Sequence, residues 1–104
     1  MNKFKRISVK EVEKLMQQKN VTIVDIRDRQ SHLNSNIINS KHVTSESAAN
    51  LITTIDRKKP LIIYCYHGIS SQDAAQYFSE QGFSEVYSMD GGFEAWRVKE
   101  LRNH

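Results

Sequence analysis

The sequence predicts an α/β fold: a central, mainly parallel sheet with helices on both faces, three layers deep (α/β/α). Three observations predict it. Short apolar runs rich in β-branched residues stand at 21–26, 61–65 and 86–89. Stretches with apolar residues at helical spacing separate them, and strands joined through helices imply right-handed crossovers and parallel pairing. The chain has 104 residues, which suits one domain over 1–104 with one modest core.

The elements follow in order. Ser8 with Glu11 reads as a capping box, in which each residue satisfies the other's free backbone N–H. Val9, Val12, Leu15 and Met16 then form the apolar stripe of a helix over 9–19, and Asn20 is its stop. The run VTIVDI at 21–26 is a buried strand. Residues 27–44 are polar and irregular, broken by the apolar pair Ile37 and Ile38. Ala48, Leu51, Ile52 and Ile55 mark a second helix near 46–56. Pro60 punctuates the chain before the strongest strand, LIIYC at 61–65. Ser70, Ser71 and Asp73 open a third helix that carries Ala74, Ala75 and Phe78 inward and stops at Gly82. A strand at 86–89 is followed by a turn at Gly91 and Gly92. Phe93, Ala95 and Trp96 begin a last helix, with Phe93 and Trp96 as core residues.

Composition excludes several functions. No apolar run approaches the ~20 residues that span a bilayer, so no membrane partner is expected. The basic N-terminus lacks the apolar stretch of a secretory signal. A single Cys leaves neither an internal disulfide nor a multi-Cys metal site. Without an export signal, that lone thiol points to a reducing cytoplasm. Net charge is only +3, and the basic residues form short groups (Lys3, Lys5, Arg6; Arg57, Lys58, Lys59) rather than a stripe interleaved with aromatics. That is a solvated surface, not a nucleic-acid footprint.

Parallel sheets bind ligands beyond the carboxyl ends of their strands. Residues 25–28, 65–71 and 90–92 stand there. Cys65 closes the strongest strand, and Tyr66, His67, Gly68, Ile69 and Ser70 lead into a helix at Ser71. A short loop between strand end and helix N-terminus turns successive N–H groups inward, which makes an anion cradle. Such surroundings hold a thiol as thiolate, lowering its pKa from about 8.5 into the range ~3.5–7.5. Gly68 lets the loop curl. Ser70 and Ser71 either cap the helix or aim a hydroxyl at the thiolate. His67 adds positive charge or shuttles a proton. Asp25 and Arg27 brace the neighbouring loops by hydrogen bonds and an ion pair. A C-x5-R phosphatase needs a guanidinium six places after its cysteine to clamp a phosphate. Ser71 occupies that place, and no Arg or Lys lies between Cys65 and Arg97. The loop therefore suits a thiolate that accepts a sulfur atom and holds it as a persulfide.

These residues resemble the rhodaneses, or thiosulfate sulfurtransferases, in their small single-domain form of the GlpE type. Residues 24–28 (VDIRD) resemble the family's first motif, 65–71 (CYHGISS) its active-site loop, and 90–96 (DGGFEAW) its closing motif. The resemblance implies a rhodanese-like α/β/α domain and a double displacement, with no metal and no organic cofactor. Cys65 attacks the outer sulfur of thiosulfate, sulfite leaves, and the Cys65 persulfide passes its sulfur to a thiophilic acceptor. That acceptor is cyanide in an assay, and a thiol or a dithiol protein of the thioredoxin-like kind in the cell. The loop has the length of the sulfur-transferring members, one residue shorter than in phosphatase-like relatives. Many rhodaneses carry Arg after the cysteine and a basic residue at the loop's end, where this chain has Tyr66 and Ser70. Thiosulfate then depends on backbone dipoles and His67, so weak affinity is expected. Ser35-Asn36 stands where the family often has Gly-His, in a place that concerns packing. The alternatives are a sulfur-relay module with little turnover of its own, and a cysteine-dependent phosphatase or arsenate reductase, which the missing Arg opposes.

Overall fold

The computed structural model describes residues 3–102. Its elements are β1 (Lys5–Ile7), α1 (Val9–Gln18), β2 (Thr22–Asp25), α2 (Arg29–Asn34), β3 (Lys41–His42), α3 (Ala48–Thr54), β4 (Leu61–Tyr64), α4 (Ser70–Ser79), β5 (Val86–Met89) and α5 (Gly92–Arg102). The strands form one sheet in the order β1-β5-β4-β2-β3, and every pairing is parallel. Strand β4 lies in the middle and is fully buried along its length, as a parallel strand covered on both faces must be.

Alternation along the strands sorts the core into two layers. Ile62 and Tyr64 of β4, Ile23 of β2 and Met89 of β5 meet Val9 and Val12 of α1 and Phe93 and Trp96 of α5. Leu61 and Ile63 of β4, Val24 of β2 and Val86 of β5 meet Ala48 and Ile52 of α3 and Ala75 and Phe78 of α4. The capping box is present: Glu11 N donates to Ser8 Oγ and Ser8 N to Glu11 Oε1.

The structure corrects the sequence-based reading in three places. Five strands form the sheet, where patterning shows three. Strands β1 and β3 are edges of three and two residues that carry Lys, Arg and His. An edge strand buries too little to show apolar alternation, and charge on it discourages pairing with other chains. The stretch 27–44 contains a helix, α2, with no buried residue; Asp28 caps it by accepting from Ser31 N. The apolar pair splits: Ile37 is buried, while Ile38 is 70% exposed.

Candidate active site

The loop after β4 is held from behind by the start of α5. Phe93 N donates to Cys65 O at 2.8 Å and Glu94 N to Tyr66 O at 3.1 Å. Two free amides of the first helical turn thus take up the loop's carbonyls. With its carbonyls drawn toward α5, the loop leaves N–H groups for its other side. The fit requires glycine. A Cβ on Gly92 would lie 2.5 Å from the Tyr66 carbonyl, and one on Gly68 would lie 2.8 Å from Gly91 N. Gln72 Nε2 donates to Gly68 O at 2.8 Å and fixes that peptide.

Inside this loop sits the Cys65 sulfur, recessed to 5% exposure. Gly68 N–H and Ser71 N–H point at Sγ from 3.2 and 3.3 Å, and Ser71 Oγ lies 3.3 Å away. Burial pushes the thiol up. The Ser71 hydroxyl and the amides of Ser71, Gly68 and His67 outweigh it, and Cys65 ends below its ordinary value. Ser71 Oγ also touches Ser88 Oγ of β5 at 2.8 Å.

Beside the loop, β2 ends in a buried polar cluster. Arg27 Nη2 and Asp25 Oδ2 pair at 2.8 Å, with side chains 4% and 0% exposed. His32 Nδ1 and Tyr64 Oη also donate to Asp25 Oδ2, each at 2.9 Å, and Arg27 N donates to Oδ1. Burial raises the Asp25 carboxyl; the bonds from Arg27, His32 and Tyr64 outweigh it and leave it below the usual carboxylate value. Burial pushes the Tyr64 phenol up to about 12, which keeps its proton in place for Asp25. The guanidinium stacks on Phe93 at 4.1 Å from the ring centre and donates to Ser35 O at 2.6 Å. Its charge is therefore spent on Asp25, on Ser35 and on aromatic faces.

The expected residues divide accordingly. Cys65, Gly68 and Ser71 converge at the sulfur. Tyr66, His67, Ile69 and Ser70 are exposed around it. Ile69 takes the N-cap position without a capping side chain, so neither serine caps α4 and the Ser71 hydroxyl faces the sulfur. The Tyr66 phenol donates to Asp28 and meets Ser31 Oγ, tying the loop to α2. His67 and Glu94 of α5 both line an open groove of about 580 Å3. Asp25 and Arg27 form the ion pair expected of them. Ser35 and Asn36 follow α2, held by Arg27 and by the His32 carbonyl. Sequence reasoning missed Tyr64, His32, Ser88 and His42, whose Nε2 meets the Arg27 carbonyl oxygen. Two left a signal: a phenol in the strand LIIY and a hydroxyl in VYSM are polar groups that a buried strand carries only with partners.

Residues 8–99 match the model of the Rhodanese-like domain family. The chain is similar to the thiosulfate sulfurtransferase GlpE of Shewanella oneidensis, 49% identical over 92% of this chain and 95% of that protein. It is likewise similar to the protein of that name from Vibrio cholerae, 47% identical over 97% of this chain and 95% of that one. Among solved structures, the fold is similar to a rhodanese-like domain protein of Staphylococcus aureus, with a TM-score of 0.79, 23% identity, and 89% and 91% of the two chains covered.

Proposed function

This chain belongs to the rhodanese-like family, and from that membership together with its cysteine loop we propose that it is a thiosulfate sulfurtransferase acting through a Cys65 persulfide. The Cys65 thiolate attacks the outer sulfur of thiosulfate. The new S–S bond forms as the old one breaks, and sulfite leaves with the bonding pair. The persulfide anion on Cys65 then meets a thiophilic acceptor, cyanide in an assay and a thiol or thioredoxin-like dithiol protein in the cell. The acceptor bonds the terminal sulfur, and the electron pair returns to Cys65 as thiolate. This is covalent catalysis that splits one transfer into two.

One observation carries the reading: the Gly68 amide of the loop and the Ser71 amide and hydroxyl of the first turn of α4 converge on the Cys65 sulfur. They stabilise a thiolate, and the same cradle suits the persulfide anion that replaces it. The reading needs no metal or organic cofactor. A phosphoester substrate is disfavoured because Ser71 stands where a C-x5-R loop carries its arginine, and Arg27, stacked near Tyr66 of the loop, is committed to Asp25. Among the described residues no helix is long and apolar enough to cross a membrane. We place the enzyme in the cytoplasm, where the thiol stays reduced.

Intact-mass spectrometry after mixing with thiosulfate tests the mechanism. The expected result is a gain of one sulfur, about 32 Da, on Cys65. Cyanide removes it with release of thiocyanate, and Cys65→Ser never acquires it. An unchanged mass in the wild type overturns the covalent mechanism.

A further inference from the structure

One buried side chain touches the cradle from outside the loop. Alternation along β5 sets Ser88 with Val86 on the α4 side of the sheet and Met89 on the other. Ser88 is fully buried, and its hydroxyl lies 2.8 Å from Ser71 Oγ. A hydroxyl costs free energy in a strand core unless it is bonded. Among the described residues its side chain has no other hydrogen-bond partner.

Proton counting gives this contact a direction. The Cys65 sulfur, Ser71 Oγ and Ser88 Oγ form a row with two links, of 3.3 and 2.8 Å. A neutral thiol puts three protons on that row, so one is left outside it. A thiolate leaves two protons for two links. Both then point toward the sulfur: Ser88 donates to Ser71, and Ser71 donates to the thiolate. The row is fully satisfied in the ionised state alone, and hydrogen bonds in series polarise one another.

We propose that Ser88 is a positioning residue for the sulfur chemistry: its hydroxyl holds the Ser71 proton on the Cys65 sulfur and so favours the thiolate. This rests on Cys65 being the nucleophile of the proposed reaction. Titratable and charged groups on the surrounding elements include Lys5 and Arg6 on β1, Asp25 on β2 with Arg27 beyond it, Tyr64 on β4, His67 in the loop, Asp73 on α4 with Glu80 at its end, Tyr87 on β5 with Asp90 after it, and Glu94 and Arg97 on α5. Arg27 pairs with Asp25, Asp90 with Arg6 and Glu94 with Arg97, while His67 and Asp73 are exposed. None of them hydrogen-bonds the Ser88 side chain, whose partner is Ser71 Oγ.

The experiment measures the rate of Cys65 alkylation by iodoacetamide against pH in Ser88→Ala, Ser88→Thr and Ser88→Val. Thr and Val match in shape and differ in the hydroxyl. Loss of one such bond raises the midpoint by about 0.5–1 unit. Alkylation on the acid side of the curve is then about 3–10-fold slower, and the profiles converge at high pH. Thr retains the wild-type midpoint; Ala and Val share the raised one. Superimposable profiles for the Thr and Val variants overturn the proposal, whatever their melting temperatures. If Ser88→Ala fails to fold, the matched pair decides alone. A failure of the sulfurtransferase reading shows separately, as a wild-type mass unchanged by thiosulfate, and leaves the alkylation comparison intact.

Discussion

Gly92→Ala is the substitution whose effect follows most directly from distances. The added methyl would stand 2.5 Å from the Tyr66 carbonyl carbon and oxygen and 2.6 Å from the Cys65 carbonyl oxygen. Ordinary contact begins at 3.4 Å, so the loop and α5 must separate by about 0.9 Å. Backbone lies on both sides, so no side chain can swing away. The bonds from Phe93 N and Glu94 N, now 2.8 and 3.1 Å, would stretch to about 3.7 and 4.0 Å and break. Two lost hydrogen bonds at about 1 kcal/mol each, overpacking of about 1–3 kcal/mol and left-handed backbone at φ +59 costing about 1 kcal/mol together make roughly 4–6 kcal/mol. Because the same carbonyls aim the loop, the amides move off the sulfur, and a displacement near 1 Å costs about 100-fold in rate. Initial rates of sulfite release and thermal unfolding measure both effects. The variant should lose about 100-fold in kcat/KM and melt more than about 10 °C lower. Gly82→Ala is the control. Its φ is +92, but the added carbon meets only the Arg57 side chain at 3.6 Å, so it should cost about 1 kcal/mol and leave the rate unchanged. Wild-type turnover in Gly92→Ala, or equal loss in Gly82→Ala, refutes the argument that α5 aims the loop.

Four further outcomes are expected. Asp25→Asn strands the buried Arg27 charge and should cost about 3–5 kcal/mol in urea unfolding; a cost under about 1 kcal/mol would show the cluster to be dispensable. The Asp25 carboxyl sits lower in the folded chain than in the unfolded one, so its stabilisation is whole above about pH 4 and is lost as pH falls through the folded value. The wild type should therefore lose stability below about pH 4 more steeply than Asp25→Asn, and parallel curves would contradict this. Tyr66→Phe removes bonds from an exposed phenol to Asp28 and Ser31 and should change stability by at most about 1 kcal/mol and the transfer rate by less than about threefold; a hundredfold loss would place the phenol in the chemistry. Since Cys65 lies below the ordinary thiol value, its alkylation should be near its plateau where a free thiol is still rising toward about pH 8.5. A midpoint at or above 8.5 would remove the basis for a thiolate.

The strands that patterning finds are those buried on both faces. β5 is found to the residue, and β4 is found with Cys65 one place beyond its end. The capping box of α1 is equally legible, because Ser8 and Glu11, three places apart, make both of its bonds. Strands β1 and β3 and helix α2 are not, because each is short and mostly exposed and so leaves no apolar period. The cysteine loop was legible as a local design of strand end, glycine, serine and helix start.

What the sequence alone determined is the order of buried elements and the one thiol at the carboxyl end of the central strand, since burial period and turn chemistry act over a few residues. What only the tertiary structure decided is the company that thiol and its neighbours keep. Tyr64 reaches Asp25 across 39 residues and Ser88 reaches Ser71 across 17. Those meetings are set by strand order and register, and a hydroxyl in a strand carries no mark of which distant group its fold will place opposite it.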